Sequence, residues 1–493
     1  MNTKSWPFLF WTLMVLYFLF LVWLIFQYNY QMIDDVWVLW HWPERNVVVH
    51  SRASEGRMFY GFSQQLFFSQ AASISNIRYL RVISWAGWAG FIALLYVLLK
   101  RLRNRDELST DWVGYLTLAF MASSLPVLLY IGWVSCGDRW VSAILSLSAA
   151  LLVYDNVGKG VKGWMAMAIA VALGVVALFF YQTCYPFFLL PSYCLYLRRK
   201  DGKLNRVMLA GILTFFLGLA VYYPLFRYSV RAMGITAGER TALSFDILDR
   251  LSFFFSYPIN QAFNLNLFFD TKSAVSQAVF PVLVTGWILF EFFYRKRPVW
   301  TTIRYIVGMI GWWILGYLPQ LVSHESFGPY RTMPVLGVMV FLLMADTLAP
   351  LVKNEQVRNR LGFALVALLL VRGGYVYYRY IVRPFNAEYN AVKATVDARY
   401  TARIKNVVFV LAEEDGFLQS LHVRHHKDEF AMPSTYKDWT PEPLVKQIVY
   451  ELTGSRQQAA TLKVSVYHSA GEIPDRSILS HDDVLFIDAQ TLF

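Results

Sequence analysis

Eleven stretches of this 493-residue chain are long and apolar enough to cross a lipid bilayer. A helical span needs roughly 20 mainly apolar residues, and 57% of the sequence is apolar, which excludes an ordinary soluble protein. The stretches are continuously apolar and do not alternate, so they indicate helices and not a membrane barrel. The predicted spans are residues 6–27, 79–99, 111–133, 140–154, 164–183, 184–197, 206–224, 274–293, 303–322, 332–350 and 360–380. The sequence therefore predicts an all-α polytopic membrane protein, with the span count left open in 134–197, where the apolar runs are short.

Basic residues recur on alternate loops between these spans. With eleven spans, the clusters at 100–103, 159–162, 198–200, 295–297 and 353–360 all fall on the side of Lys4. Lys and Arg accumulate on the cytoplasmic side of membrane proteins, so the N-terminus is predicted to be cytoplasmic. The loop after the first span, residues 323–331 and the tail after Pro384 then face outward. This distribution accounts for the net charge of +12 without nucleic acid as a partner.

The chain divides into two parts of different composition. Residues 1–383 are predicted to form the membrane domain, and residues 384–493 are more polar. In the second part, residues 406–411, 462–467 and 483–487 are predicted strands, and residues 443–454 a predicted helix. A small extracytoplasmic α/β domain is therefore predicted at the C-terminus.

The first outward loop carries two adjacent carboxylates. Asp34 and Asp35 directly follow the first span, and Gly56 and Arg57 precede an amphipathic surface helix predicted at 59–68. The residues of this helix that are expected to face lipid are Phe59, Phe62, Leu66 and Phe67. A carboxylate at the membrane surface can accept a proton from a sugar hydroxyl as that hydroxyl attacks an anomeric carbon. The alternative is a solvated acidic loop without chemistry.

A second outward segment, residues 323–331, ends in Arg331 at the start of a span. An arginine in that position can bind a phosphate through two parallel hydrogen bonds. Tyr330 and His324 are predicted to assist it. The alternative for Arg331 is snorkelling toward the lipid headgroups.

Three further polar residues lie in spans or at their ends. Arg372 is deep in the last predicted span, and ionisable residues inside a membrane are candidates for function. Tyr181 and Gln182, at the outer end of another span, carry groups suited to sugar hydroxyls. Structural pairing of Arg372 and helix packing by the other two are the alternatives.

The sequence lacks common nucleotide-binding motifs and the nucleophile motif of hydrolases. It has no GxxxxGK[ST] motif, no Rossmann glycine pattern and no GxSxG elbow in a strand-to-helix context. A sugar donor activated in the cytoplasm and presented outside on a lipid carrier fits that absence.

The order of these motifs resembles the bacterial GT-C glycosyltransferases, and within them the serotype-converting O-antigen glucosyltransferases. The resemblance covers residues 1–380 and rests on the long first span, Asp34-Asp35, Gly56-Arg57, Tyr181-Gln182 and Pro329-Tyr330-Arg331. It implies a GT-C-like membrane domain in the bacterial inner membrane. It also implies transfer of a sugar such as glucose, with inversion, from a polyprenyl (undecaprenyl) phosphate carrier to a cell-surface glycan such as the O-antigen of lipopolysaccharide.

Carried over to this chain, the resemblance implies a catalytic role for Asp34 or Asp35 and a donor-phosphate role for Arg331. Replacing Asp35 is then expected to abolish transfer without affecting folding. The expected substrate-binding residues are Arg57, Tyr181, Gln182, His324, Glu325, Tyr330, Arg331 and Arg372. Some relatives require a divalent cation such as Mg²⁺ or Mn²⁺ and others do not, so metal dependence stays open. The expected partners are the donor lipid, a glycan acceptor and membrane lipid.

Two other functions remain open from the sequence. A transporter or flippase would move an intact lipid-linked glycan, with Arg331 and Arg372 along its path. A glycan polymerase or ligase would use a donor that carries a whole oligosaccharide. The α/β tail is a departure from a bare glucosyltransferase and leaves the acceptor open.

Overall fold

The computed structural model describes residues 6–104, 111–199, 201–244, 246–264, 274–326, 328–421 and 429–492. The fold is mostly helical. The first eleven α-helices are α1 (Trp6–Gln27), α2 (Asp34–His41), α3 (Arg45–Ser54), α4 (Met58–Phe68), α5 (Ile77–Asn104), α6 (Asp111–Ser123), α7 (Leu125–Gly132), α8 (Arg139–Asn156), α9 (Val161–Phe180), α10 (Leu190–Arg199) and α11 (Arg206–Ala232). The next ten are α12 (Ile247–Ser256), α13 (Pro258–Asn264), α14 (Ala274–Leu289), α15 (Val299–Leu321), α16 (Pro334–Leu348), α17 (Glu355–Tyr377), α18 (Arg383–Arg399), α19 (Glu414–Ser420), α20 (Pro441–Thr453) and α21 (Arg456–Ala460). The strands are β1 (Asn406–Val410), β2 (Lys463–Tyr467) and β3 (Val484–Asp488).

Eight helical segments in the described ranges are long and apolar enough to cross a membrane. They are Trp6–Gln27, Ile74–Arg103, Val134–Asn156, Val161–Phe180, Arg206–Ala232, Ala274–Tyr294, Pro334–Leu351 and Glu355–Arg399. Helices α6 and α7, bent by 41° at the break between them, make a ninth if the pair counts as one span. A mostly helical protein with several candidate membrane spans is therefore confirmed, whereas the count of eleven stays a prediction.

Two further segments run alongside each other through the bundle. They are residues 182–199, a 3-10 helix (Gln182–Leu189) followed by α10, and α15. Near one end of both segments, Gln182 and Leu318 line the same cavity. Near the other end, the Tyr196 hydroxyl lies 3.2 Å from the carbonyl oxygens of Arg304 and Tyr305. With about 2.0 Å of rise per 3-10 residue and about 1.5 Å per α-helical residue, residues 182–199 extend roughly 30 Å. That length is close to the thickness of a bilayer core.

The C-terminal part contains the predicted α/β unit. Helix α17 continues through a π-helical turn (Tyr378–Val382) into α18, so the predicted domain boundary at 383/384 falls inside one helical segment. The three strands form a parallel sheet in the order β2-β1-β3. The predictions of all three strands are confirmed to within one residue at each end, and the predicted helix forms as α20.

The loop beyond α1 is packed against this C-terminal part. Val36 and Leu39 of α2 share a hydrophobic core with Val392 of α18, Val407 of β1 and Leu444 of α20, and all five are buried. Burying one such side chain stabilises the contact by roughly 1.5–3 kcal/mol. The Asp34-Asp35 pair therefore begins a packed helix and does not lie in a solvated loop.

The predicted amphipathic helix at 59–68 forms as α4. Phe62 and Leu66 are exposed on one face, as expected. Phe59, which was expected to face lipid, packs against Phe179 of α9 with ring centroids 5.3 Å apart. Helix α4 is thus held against the bundle along one side.

Candidate functional site

A cavity of about 690 Å³ lies between α4, α8, α11 and α15. Its volume is within the range of small-molecule sites. Six predicted site residues, from segments far apart in the sequence, line it: Asp34, Arg57, Tyr181, Gln182, Glu325 and Arg331. The other four predicted residues are outside the cavity lining: Asp35, His324, Tyr330 and Arg372.

Arginine is the commonest charged residue in the cavity wall. Five arginines line the cavity together with three carboxylates: Arg52, Arg57, Arg139, Arg240 and Arg331, with Asp34, Glu55 and Glu325. Each of the three carboxylates lies near an arginine, at 3.3 Å for Arg52–Asp34, 2.8 Å for Arg57–Glu55 and 3.0 Å for Arg240–Glu325. The wall carries more positive than negative charge and so favours an anionic ligand.

Arg139, at the start of α8, is a cavity residue that the sequence analysis missed. Its guanidinium lies 3.9 Å from the ring centroid of Tyr181 and 5.0 Å from that of Tyr130. The residue is only 3% exposed, and its Nε and Nη1 atoms have no hydrogen-bond partner in the described ranges. A buried guanidinium is normally paired, so Arg139 is available to a bound anion. The signal in the sequence was Asp138-Arg139, an ionisable pair between two apolar runs.

Asp34 lies at the edge of the cavity, where two donors hold its carboxylate. Arg52 Nη2 donates to one oxygen, and Trp439 Nε1 from the C-terminal part donates to the other, each at 3.3 Å. The preceding Ile33 has φ 36°, which a β-branched residue rarely adopts. Its N–H donates to Ser434 Oγ at 3.0 Å. The C-terminal part therefore fixes the position of Asp34 through both backbone and side chain.

Asp35 has different surroundings from its neighbour. It is fully buried and accepts hydrogen bonds from the N–H groups of Ser135 at 2.7 Å and Met32 at 3.1 Å. Arg81 Nη2 lies 3.7 Å away. Burial raises the pKa of Asp35 to about 6, although Arg81 and the two N–H groups oppose that rise. The side chain joins α2 to the start of the Val134–Asn156 segment and has no contact with the cavity.

Replacing Arg81 with methionine is expected to destabilise the protein by about 3–5 kcal/mol, because Asp35 is left buried without its cation. Since the folded pKa of Asp35 is above its unfolded value, stability falls as the pH rises through the range between the two values. The loss of thermal stability should therefore be larger at about pH 7.5 than at about pH 5, where the folded carboxyl is protonated. Thermal unfolding of the purified variant in detergent at the two pH values measures this. Arg101→Met, which removes an exposed pair with Asp155, should have little effect, and an equal loss at both pH values would contradict the assignment.

Arg57 and Gln182 meet at a tight junction built on Gly56. Arg57 Nε donates to Gln182 Oε1 at 3.2 Å, and the Tyr222 hydroxyl donates to the Gly56 carbonyl at 2.8 Å. Burial alone would raise the pKa of Glu55, but Arg57 and the neighbouring arginines hold that pKa below its ordinary value. The acid therefore stays ionised and fixes Arg57 beside the ring of Tyr181, 4.9 Å from its centroid.

Replacing Gly56 with alanine is expected to lower stability and to displace Gln182 from the cavity wall. The added Cβ would lie 2.3 Å from the Tyr222 hydroxyl and 2.9 Å from Gln182 Nε2, at a φ of +77°. A cost of roughly 1–3 kcal/mol is expected from the strained backbone alone. Gly234→Ala is the matched control, because it has a φ of +66° and nothing within 4 Å of the added atom. Equal thermal stability of the two variants would show that the contact with Tyr222 has no effect.

Arg331 connects the cavity to the C-terminal part. Its Nη1 atom forms an ion pair with Glu429, a residue 6% exposed, and its guanidinium lies 4.9 Å from the Trp133 ring centroid. A phosphate that binds Arg331 would therefore share it with Glu429 or displace that carboxylate. Nothing in the sequence pattern pointed to this partner, which is 98 residues away.

The remaining predicted residues have other surroundings. Tyr330 is buried, and its hydroxyl donates to Gln261 Oε1 at 3.2 Å. His324 is exposed at the surface. Arg372 is half-buried on α17, with its guanidinium 5.6 Å from the Tyr375 ring centroid. The structure does not bring these three into the cavity wall, and their predicted roles in substrate binding stay predictions.

One side of the cavity is apolar and reaches the surface of the bundle. Phe216 of α11, Ile247 of α12 and Val322 beyond α15 line the cavity, and they are 43%, 69% and 38% exposed. Leu219 and Tyr223 extend this side along α11. The cavity therefore joins a charged interior to an apolar outer surface.

The carboxylates of the cavity do not fit a divalent cation. Asp34, Glu55 and Glu325 each lie within 4.0 Å of an arginine. In the described ranges, no group of three His, Cys, Asp or Glu side chains comes together as metal ligands.

Comparison of the chain with protein-family models, with curated proteins and with solved structures found no match.

Proposed function

We propose that this chain is a membrane glycosyltransferase that moves a sugar from a polyprenyl-phosphate carrier to a glycan acceptor. The observation that carries the proposal is the make-up of one cavity, which combines Asp34, an apolar side and an arginine cluster. In that cluster, the Nε and Nη1 atoms of Arg139 have no hydrogen-bond partner among the described residues. A lipid-linked sugar phosphate matches all three features. Its phosphate suits the arginines, its isoprenoid chain suits the apolar side, and its sugar lies within reach of the carboxylate.

In the proposed reaction, an acceptor hydroxyl attacks the anomeric carbon of the donor sugar from the face opposite the phosphate. A glycosidic C–O bond forms, the bond between the anomeric carbon and the phosphate oxygen breaks, and polyprenyl phosphate leaves with the electron pair. Asp34 accepts the proton of the attacking hydroxyl. Because attack and departure are on opposite faces, the anomeric configuration inverts.

The other residues position the reactants. Arg139 and Arg331 stabilise the charge on the departing phosphate. Tyr181 and Gln182 offer polar groups to the donor sugar. Asp35 is assigned a positioning role, because its bonds to Ser135 and Met32 set the start of α2 and hence the place of Asp34. This assignment narrows the sequence prediction, which left the catalytic role open between Asp34 and Asp35.

The proposal extends to substrates and topology. From the family resemblance we take glucose as the sugar, the O-antigen of lipopolysaccharide as the acceptor and the bacterial inner membrane as the location. Eleven crossings are reached when the bent α6–α7 pair, residues 182–199 and α15 join the eight apolar helical segments. With a cytoplasmic N-terminus, the cavity and the C-terminal part then face outward.

The test is an assay with the purified protein in liposomes, radiolabelled undecaprenyl-phosphate glucose and lipopolysaccharide as acceptor. The expected result is consumption of the donor and appearance of label in the acceptor. Protein-dependent movement of the intact labelled lipid across the bilayer, without a covalent product, would replace the proposal with a transporter. Transfer only from a donor that carries a whole oligosaccharide would identify a polymerase or ligase.

A further inference from the structure

An exposed aromatic surface lies beside Asp34 and outside the cavity. It consists of residues 436–439, Tyr436-Lys437-Asp438-Trp439, and is called the 436–439 patch below. Tyr436 is 39% exposed and Trp439 is 47% exposed, although tryptophan is usually well buried. Neither residue lines the cavity, yet Trp439 donates a hydrogen bond to Asp34. Asp34 therefore lies at the boundary between the cavity and this patch.

The backbone before the patch is firmly held. Glu388, a fully buried residue of α18, accepts hydrogen bonds from the N–H groups of Ser434 at 2.9 Å and Thr435 at 2.7 Å. Ser434 Oγ in turn accepts the N–H of Ile33, the residue before Asp34. The patch is thus fixed relative to the carboxylate, and its exposed rings are not the ends of a freely moving loop.

The composition of the patch suits a sugar ring. A pyranose has one face of C–H groups, which packs on an aromatic ring, and a rim of hydroxyls, which need polar partners. The Trp439 ring offers the apolar surface while its N–H stays satisfied by Asp34. Lys437 lies over both rings, with Nζ 5.1 Å from the Tyr436 centroid and 5.7 Å from the Trp439 centroid, and the exposed Asp438 adds an acceptor for hydroxyl groups.

We propose that the 436–439 patch binds a pyranose unit of the acceptor glycan and presents one of its hydroxyls to Asp34 from outside the cavity. The inference rests on the proposed function in one respect, the role of Asp34 as the base. It assigns the two substrates to opposite sides of that carboxylate, with the donor in the cavity and the acceptor on the C-terminal part. The α/β part of the chain thereby becomes the acceptor-binding element.

The kinetic test compares Trp439→Ala and Trp439→Phe with the wild type in the transfer assay. The alanine variant should raise the KM for the acceptor by about tenfold or more, as expected for the loss of a stacking ring, and leave the KM for the donor unchanged. The phenylalanine variant keeps a ring but lacks the N–H, so its KM for the acceptor should lie between those of the wild type and the alanine variant. Leu452→Ala is the control, because Leu452 is also exposed, at 46%, but lies near the far end of α20. The helix extends about 18 Å from Pro441, which is next to the patch, to Leu452. An unchanged acceptor KM in Trp439→Ala would overturn the inference while leaving the proposed function in place.

A second measurement does not depend on transfer. Saturation-transfer NMR of the reconstituted protein, without donor, is recorded with a panel of methyl pyranosides of glucose, galactose, mannose, rhamnose and N-acetylglucosamine. The expected result is a signal for at least one glycoside that is lost in Trp439→Ala and kept in Leu452→Ala. Equal signals in both variants, or no signal for any glycoside in the wild type, would overturn the inference. If the wild type shows no transfer but binds a glycoside, and Trp439→Ala loses that binding, the sugar site is supported and the proposed function is rejected.

Discussion

Replacing Asp34 with asparagine is expected to slow sugar transfer about 100- to 10,000-fold, the usual contribution of a positioned general base. The amide has nearly the size of the carboxylate but cannot take the proton of the attacking hydroxyl. Its oxygen can still accept a hydrogen bond from Arg52 or Trp439, both 3.3 Å from the carboxylate, so the fold should be retained. The measurement is the initial rate of label transfer at saturating donor, with thermal unfolding recorded on the same preparation.

Asp155→Asn is the matched control for that experiment. Asp155 also pairs with an arginine, Arg101, and its side chain is 31% exposed, compared with 27% for Asp34. Since it lies outside the cavity lining, its variant should transfer at the wild-type rate. A well-folded Asp34→Asn protein with the same rate as this control would remove Asp34 from the reaction.

Replacing Arg139 with methionine is expected to lower the transfer rate by about 100- to 1,000-fold, the typical effect of deleting one donor that stabilises developing negative charge. The Nε and Nη1 atoms of Arg139 have no hydrogen-bond partner in the described ranges, and the neighbouring buried Asp138 keeps the hydrogen bond that the Ser63 hydroxyl donates to it. The variant should therefore fold, in contrast to Arg81→Met, which leaves Asp35 without its cation. The rate and the KM for the donor are measured in the same assay.

Two companion variants sharpen the test of Arg139. Arg139→Lys restores the charge without the planar pair of N–H groups, so it should recover only part of the rate. Arg372→Met removes another arginine of the membrane domain, one that the sequence predicted for substrate binding but that lies outside the cavity lining. Because Arg372 does not line the cavity, its variant should lose much less of the transfer rate than Arg139→Met. Equal losses in Arg139→Met and Arg372→Met would show that the cavity is not the site of phosphate binding.

The membrane helices and the three strands could be predicted from the sequence because their signals are local. A run of apolar residues about 20 long specifies a membrane helix with no knowledge of its neighbours. In the same way, the short apolar runs at 406–411, 462–467 and 483–487 predicted strands that form to within one residue. The order of those strands in the sheet, β2-β1-β3, was not predicted, because it depends on pairing between segments far apart.

The candidate site was predictable only in part. The motifs singled out Asp34, Arg57, Tyr181, Gln182 and Arg331, and the fold brings all five into one cavity. The predicted topology explains this success, because polar residues that are predicted at the same-side ends of different spans are expected at a similar depth in the membrane. A predicted depth gives no distances between side chains, so the prediction grouped His324 and Tyr330 with the residues that line the cavity. In the fold, neither of these two residues lies in the cavity wall.

Asp34 and Asp35 show where sequence reasoning ends. They are adjacent and chemically identical, and both lie in the first turn of α2. Only packing separates them, since a one-residue step around a helix turns one carboxylate toward the cavity and the other into the core beside Arg81. The expectation that Asp35 can be replaced without affecting the fold loses its basis once the side chain is seen fully buried.

The sequence by itself determined the mostly helical architecture, most of the long apolar helices and the three strands. It also singled out a group of polar residues, most of which line one cavity. Hydrophobicity, periodicity and charge bias are properties of short segments, so they can be recognised in the sequence without knowledge of the fold. It also decided that Arg139 is buried with two guanidinium nitrogens that have no hydrogen-bond partner in the part of the chain that the structure describes. The tertiary structure alone decided which side chains share the cavity, and that the C-terminal part supplies Glu429 to Arg331 and Trp439 to Asp34. The contact between Trp439 and Asp34 joins residues 405 positions apart, and it forms because α2 and the C-terminal part bury apolar side chains against each other.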